Sequence, residues 1–113
     1  MGLEIIKKIY EKKIEEREKK RVEILKKTFE ALKELSKIVS FKEAYIFGSV
    51  TKPYQFGEYS DIDIAFKDFD SDKIFYMTAF LSSYLLRDVN VIDIERVHFK
   101  EKILRESIKW KKD

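Results

Sequence analysis

The 113-residue sequence has no cysteine, one histidine, one proline and three glycines. The absence of cysteine excludes a disulfide framework and any thiolate metal site, and a single histidine excludes a multi-histidine metal site within one chain. No apolar run comes near the roughly 18 residues that a membrane span needs. The first residues, MGLEIIKKIYEKK, do not contain the apolar stretch of a signal peptide. We therefore expect a cytoplasmic protein of about one domain, without membrane contact.

Charge is abundant but balanced. Charged residues make up 40% of the sequence, compared with roughly 25% in ordinary soluble domains. Both signs are interspersed and the net charge is only +3, so the composition does not favour nucleic acid as a partner. The most polar segment is EEREKKR, residues 15–21. We expect it to be a solvated helical surface, supported by ion pairs from Glu15 to Lys19 and from Glu16 to Lys20.

Residues 3–39 contain neither glycine nor proline and are predicted to form one long helix. The second half has an apolar stripe at three- and four-residue spacing, formed by Val22, Leu25, Phe29, Leu32 and Leu35. The first part has a separate apolar cluster, formed by Leu3, Ile5, Ile6, Ile9, Tyr10 and Ile14. A straight helix of this length measures about 55 Å, whereas a compact domain of this size has a radius of gyration of about 13 Å. The helix therefore either folds back or carries its first cluster to another chain.

The remaining elements indicate a small sheet covered by helices. Strands are predicted at 44–47, 60–67 and 89–94, a helix follows the capping residues at 70–72, and a last helix occupies 98–111. This order predicts an α/β or α+β fold with a small mixed sheet flanked by helices. We divide the chain into residues 1–40, an oligomerisation or partner arm, and residues 41–113, the domain.

Two aspartates at the start of the second predicted strand are candidates for metal binding and catalysis. Asp61 and Asp63 lie two residues apart, so both carboxylates leave the same face while Ile62 and Ile64 point into the core. Adjacent carboxylates repel each other unless a cation lies between them. Mg²⁺ is the natural candidate, because it prefers a few carboxylates with phosphate oxygens and water. Two such ions about 3.5–4 Å apart can hold the attacking and leaving oxygens of a phosphoryl transfer.

The residues Gly48 and Ser49 end the first predicted strand. Glycine lets the backbone turn and approach a ligand closely, and Ser49 adds a hydroxyl and an N–H at the start of a short helical turn, which is typical of an anion site. Neither Gly-Ser nor Asp-x-Asp is specific alone. Here each adjoins a hydrophobic strand, and a loop of about a dozen residues separates them. Together the two motifs predict hydrogen-bond donors for a phosphate group beside a metal site.

The run Phe47-Gly48-Ser49, followed by Ser60-Asp61-Ile62-Asp63-Ile64, resembles the signature of the nucleotidyltransferase superfamily that includes DNA polymerase beta. The short length, the segment Val89–Ile94 and the charged helix after it are similar to the minimal members from bacteria and archaea. The resemblance covers roughly residues 43–108 and implies a polymerase-beta-like fold. It also implies Mg²⁺, ATP or another nucleoside triphosphate, and transfer of a nucleotidyl (AMP) group to a protein or small-molecule acceptor.

The resemblance assigns roles to particular residues. Gly48, Ser49, Lys52 and Ser60 would bind the nucleotide, although Lys52 is equally well explained as a solvated loop lysine. The third carboxylate of the family would fall at Asn90, whose amide is a weaker metal ligand. The alternative position is Asp93, but strand parity turns residues 90 and 93 to opposite faces. By the same resemblance, Asp61 and Asp63 would be the catalytic and metal-binding pair.

The resemblance also implies a partner. Minimal members often pair with a helical protein of the HEPN type, a ribonuclease toxin, and act as its antitoxin; some attach AMP to a partner tyrosine. The expected partners are therefore a nucleoside triphosphate, a HEPN-type protein and, through the helical arm, a second copy of the chain. The alternative function is a degenerate member that binds nucleotide or a protein without efficient transfer. Three aromatic residues between the motifs, Tyr54, Phe56 and Tyr59, either cover the base or pack the loop.

Overall fold

The structure is a computed structural model and describes residues 2–112. Met1 and Asp113, the outer residues of the two predicted segments, lie outside the described residues. The helices are α1 (Gly2–Ser36), α2 (Ile74–Leu85) and α3 (Lys100–Glu106), and the strands are β1 (Glu43–Phe47), β2 (Ile62–Lys67), β3 (Val89–Asp93) and β4 (Ile108–Lys111). Short 3₁₀ turns lie at Ser49–Thr51, Ser71–Lys73 and Ile94–Arg96. The mixed α+β fold with a long N-terminal helix is confirmed.

The four strands form one mixed sheet in the order β3-β2-β1-β4. β1 is antiparallel to β2 and β4, whereas β2 and β3 are parallel and are connected through α2. The second half of α1 and α2 cover one face of the sheet, where Leu32, Ile64 and Leu81 are fully buried. The shorter α3 covers the other face, where Ile103 packs with Tyr45 in a smaller cluster.

The helix α1 is continuous over 35 residues and extends beyond the domain. The molecule measures 59 × 28 × 24 Å, and its radius of gyration of 16.2 Å exceeds the value of about 13 Å for a compact domain of this size. The first turns are exposed, at 83% for Leu3 and 64% for Ile6. Of the two alternatives, the projecting helix is therefore the one observed. No described helix has an apolar stretch long enough to cross a bilayer.

The apolar stripe of α1 was predicted only in part. Leu32 and Leu35 are fully buried and Leu25 packs against the core, but Val22 is 41% exposed. A threonine, Thr28, takes a fully buried position instead, and its hydroxyl donates to a main-chain carbonyl one turn earlier at 2.8 Å. A buried hydroxyl is tolerated there because its hydrogen-bonding capacity is satisfied within the helix.

The predicted helix 98–111 is wrong in its last turn. α3 ends at Glu106, and Ile108–Lys111 forms β4, which pairs with β1 and places Trp110 opposite Ala44. The sequence Ile-Lys-Trp-Lys alternates apolar and charged residues, a pattern that suits a half-buried edge strand. Trp110 packs 5.3 Å from Phe41, measured between ring centroids, so the strand completes the core beside the otherwise unpaired edge of β1.

Candidate functional site

Three polar side chains meet at one end of the sheet. Asp63 lies in β2 and Asp61 directly precedes this strand, which begins at Ile62 rather than at residue 60. Asn90 lies opposite Asp63 in the parallel β2–β3 register. The Asn90 Nδ2 atom donates to Asp63 Oδ1 at 2.9 Å and approaches Asp61 Oδ2 at 3.4 Å. Because neighbouring parallel strands keep matched residues on the same face, the pairing brings all three side chains together.

Gly48 is in contact with this cluster from the other side. It follows Phe47, the residue opposite Asp63 in the β1–β2 register. Its φ of 82° lies in the region that favours glycine, and a Cβ atom built on it would stand 2.5 Å from Asp63 Oδ2. Any larger residue at position 48 would therefore both strain the backbone and collide with the carboxylate. Ser49 then begins the 3₁₀ turn, as predicted.

The chemistry of the cluster fits a hard cation. It offers carboxylate oxygens from Asp61 and Asp63, and the Asn90 amide can turn its carbonyl oxygen inward, since the orientation of an amide is set by its partners. Oxygen ligands of this kind suit Mg²⁺. Within residues 2–112, however, no group of three or more histidine, cysteine or acidic side chains converges. The cluster therefore provides two negative charges, not three.

Asp93 lies at the other end of β3. It is opposite Phe66 in the strand register, and its carboxylate accepts from the Glu95 N–H at 2.9 Å and lies 3.7 Å from Arg96 Nε. It thus caps the turn that leads to α3. The structure brings Asn90, and not Asp93, to the pair of aspartates, in keeping with strand parity.

A cleft of about 400 Å³ opens beside Gly48, between the end of β1 and α3. Lys52 lines this cleft, and its side chain is exposed. The sequence did not single out Lys102, which adds a second ammonium group, or Phe99, which adds an apolar wall. Their position at the cleft could not be predicted from periodicity, because α3 reaches this cleft only through its packing on the sheet. The remaining lining residues are Phe47, Thr51, Ile103 and Glu106.

Ser60 closes the loop between the two motifs. Its hydroxyl accepts from the Gly57 N–H at 2.9 Å, and its carbonyl accepts from Arg87 Nη1 at 2.7 Å. Arg87 also donates to the Gly57 carbonyl at 3.1 Å and lies 4.5 Å above the Phe56 ring. The side chain of Ser60 is therefore engaged in the turn before Asp61.

The three loop aromatics behave differently from one another. Phe56 is 4% exposed and packs the loop against the domain. Tyr54 and Tyr59 are 73% and 91% exposed. Packing of the loop thus explains one of the three, and the other two rings are free to contact a ligand or a partner.

The segment 15–21 is not simply a solvated surface, which corrects the expectation from its composition. Arg21 Nη1 donates to the Val50 carbonyl at 3.0 Å, and Glu18 accepts from the Tyr54 N–H. Arg21 and Glu18 also pair with each other at 3.1 Å. Among residues 2–112, neither of the two predicted i,i+4 ion pairs is present. The bond from Arg21, followed by the bond from the Tyr54 N–H, holds the pKa of Glu18 below its ordinary value.

A signal for these two residues does exist in the sequence. Positions 14, 18, 21, 25, 28, 32 and 35 follow one another at alternating steps of four and three, and all are at least partly buried. Glu18 and Arg21 thus occupy the stripe that becomes apolar further along α1. A search restricted to apolar residues passes over them.

No protein-family model matches the sequence, and no curated protein matches it. A solved structure described as "Crystal structure of the toxin-antitoxin with AMP-PNP" contains a chain of similar fold, with a TM-score of 0.59 and 22% sequence identity. The match covers 75% of this chain and 74% of that one. At 22% identity, this match shows a similarity of fold alone.

Proposed function

We propose that this chain is a minimal nucleotidyltransferase-like protein that binds a nucleoside triphosphate, with ATP as the reference ligand, together with Mg²⁺. The observation that carries the proposal is the contact of Asn90 with both Asp61 and Asp63, directly against the backbone of Gly48. Two carboxylates and a closely apposed glycine turn are what a site for a metal–phosphate complex requires.

Each residue contributes in its own way. Asp61 and Asp63 hold the cation through their carboxylate oxygens. The absence of a side chain on Gly48 leaves space next to Asp63, and Ser49 offers a hydroxyl and an N–H to a phosphate oxygen. Lys52 supplies a positive charge at the adjacent cleft. When bound, the Mg²⁺ ion would neutralise charge on both the carboxylates and the phosphates.

We also propose that the chain acts as the antitoxin-type member of a toxin–antitoxin pair. Support comes from the solved structure of similar fold, a toxin–antitoxin with AMP-PNP, which is an adenine nucleotide. The exposed apolar positions of α1, among them Leu3, Ile6 and Ile9, offer a surface for a helical protein such as a HEPN-type toxin or for a second copy of this chain.

Asn90 argues for a second candidate function, a nucleotide-binding module that transfers AMP slowly. In a transfer, an acceptor hydroxyl oxygen bonds to the α-phosphorus, pyrophosphate leaves, and the hydroxyl proton must move to a base. An amide cannot accept that proton near neutral pH and adds no charge to the metal site. We expect Asn90→Asp to raise the rate of AMP transfer to the partner, and Asp93→Ala to change it little. Loss of robust wild-type transfer in Asp93→Ala would contradict this assignment.

The decisive experiment is a titration of ATP into the protein with Mg²⁺ and with EDTA. We expect Mg²⁺-dependent binding in the wild type, and a loss of more than about 100-fold in Asp63→Ala, because even outer-shell partners are typically worth roughly 10–100-fold in metal affinity. Asp93→Ala is the matched control, since it removes a carboxylate from the other end of β3. Unchanged ATP affinity in a folded Asp63→Ala variant would refute the proposal.

A further inference from the structure

The 3₁₀ turn after Gly48 and the loop that follows it accept and donate hydrogen bonds to two side chains of α1. We propose that Glu18 and Arg21 are positioning residues for the nucleotide site: they hold the 3₁₀ turn Ser49–Thr51, and the loop that follows it, in the conformation that presents Gly48 to the phosphates. This inference rests on the proposed nucleotide site. We name the two side chains and their bonds to the loop the Glu18–Arg21 clamp.

The local sequence explains why the turn needs an external donor. The carbonyls of residues 48 and 49 accept from N–H groups three residues further along, each at 3.1 Å. The carbonyl of Val50 would take the N–H of residue 53, but that residue is Pro53, which has none. Val50 is fully buried, so its carbonyl requires a partner within the protein. Arg21 Nη1 supplies it at 3.0 Å.

Glu18 orients the guanidinium group and holds the next part of the loop. Arg21 Nε and Nη2 bond to the Glu18 carboxylate at 3.1–3.3 Å, which leaves Nη1 directed at the Val50 carbonyl. The same carboxylate accepts from the Tyr54 N–H. Tyr54 has a φ of 65°, which is uncommon for a residue with a side chain, so a charged acceptor stabilises a conformation the loop does not prefer.

The two side chains of the clamp are largely covered by the protein. The side chains of Arg21 and Glu18 are only 11% and 21% exposed. The far end of the same loop is held separately by Arg87, which bonds the carbonyls of Gly57 and Ser60. The beginning of the loop is thus held by Glu18 and Arg21 of α1, and its end is held by Arg87.

This division gives the clamp a specific consequence. Asp61 and Asp63 are held by β2 and by Arg87 near Ser60, whereas the placement of Gly48 and Ser49 depends on the turn that the clamp holds. Loss of the clamp therefore weakens phosphate binding and leaves Mg²⁺ binding to the aspartates largely intact. A purely structural role would lower both affinities together.

The test compares Arg21→Gln, Arg21→Lys and Glu18→Gln with Lys19→Gln and Glu15→Gln, which remove the same charges from exposed positions of α1. Affinities are measured for Mg²⁺ alone and for ATP at saturating Mg²⁺. We expect Arg21→Gln and Glu18→Gln to weaken ATP binding about tenfold, the value of one hydrogen bond to a charged group. Arg21→Lys restores part of the loss, since lysine donates to Val50 but cannot bind Glu18 bidentately. The control variants and all Mg²⁺ affinities stay at the wild-type value.

A second measurement is independent of nucleotide. The Tyr54 N–H donates to Glu18, so hydrogen exchange of this amide is expected to accelerate in Glu18→Gln and Arg21→Gln and not in Glu15→Gln. Unchanged exchange in the folded Glu18→Gln and Arg21→Gln variants overturns the clamp, as does an equal loss of Mg²⁺ and ATP affinity. If Arg21→Gln does not fold, the same affinities and amide exchange measured in Arg21→Lys and Glu18→Gln test the clamp. A wild type that binds no nucleotide refutes the proposed function, and the exchange measurement still tests the clamp.

Discussion

The two halves of α1 contain the same kinds of residues in opposite surroundings. Leu32 and Leu35, near its end, are fully buried, whereas Leu3 and Ile6, near its beginning, are 83% and 64% exposed. Both halves are rich in lysine, glutamate and branched apolar side chains. The difference is that the sheet and α2 reach only the second half. Apolar content alone therefore does not show which part of a long helix belongs to the core.

Between these halves lies a third environment. Glu18 and Arg21 continue the buried stripe, but they meet the polar backbone of the loop rather than an apolar sheet. Charged residues suit this position because a loop displays carbonyl and N–H groups that side chains must satisfy. The inner face of α1 is thus charged where it contacts the loop and apolar where it packs on the sheet.

The largest expected effect sharpens the contrast between the two halves. Leu32→Ala should lower the free energy of unfolding by about 2–5 kcal/mol, because it leaves a cavity in a packed core. Leu3→Ala removes the same atoms from the exposed half of α1 and should change the free energy of unfolding by less than about 0.5 kcal/mol. Urea denaturation of both variants measures the difference. Similar losses in the two variants would mean that the first turns are buried in solution.

A smaller effect on stability, and a large one on association, is expected from removing the first half. Deletion of residues 1–14 should lower the oligomeric mass or abolish partner binding while the domain stays folded, because Leu3, Ile6 and Ile9 are each more than half exposed and form an apolar surface. Light scattering and a pull-down with the partner test this expectation. Ile6→Gln with Ile9→Gln should reproduce the deletion, and Lys8→Gln with Lys12→Gln should not. A monomeric full-length protein without a partner would contradict the interface.

The smallest effect concerns pH and the middle of the helix. The pKa of Glu18 is lowered in the folded protein by Arg21 and by the Tyr54 N–H. Because the pKa is lower in the folded protein, the Glu18 carboxylate stabilises the fold at pH values above its unfolded-state pKa, ordinarily 4.5. This contribution is lost as the pH falls through the pKa of the folded state. Stability curves of the wild type and Glu18→Gln should therefore converge in acid. A difference that is constant from neutral pH to acid would show that the charge of Glu18 does not matter.

Much of the site could be anticipated from the sequence. The two-residue spacing of Asp61 and Asp63 and the turn at Gly48 are local patterns, and β-strand parity separates Asn90 from Asp93 without any coordinates. The structure places these residues as the patterns suggest, and their roles in binding remain predictions. The last strand was missed because neither proline nor glycine separates Ile108–Lys111 from the helix before it, and its apolar–charged alternation spans only four residues.

Local features could be derived from the sequence alone: that the chain begins with one long helix, predicted at residues 3–39 and ending in the structure at Ser36, that Ile62 and Ile64 face inward, and that strands and further helices follow it. These depend on neighbours within a few residues, which periodicity reports directly. Three further features depend on the folded chain: which half of α1 is buried, the addition of Ile108–Lys111 to the edge of the sheet, and the bond from Arg21 to the Val50 carbonyl. Each of these joins segments far apart in the chain, and each is set by which free edge or unsatisfied backbone group the folded chain brings within reach.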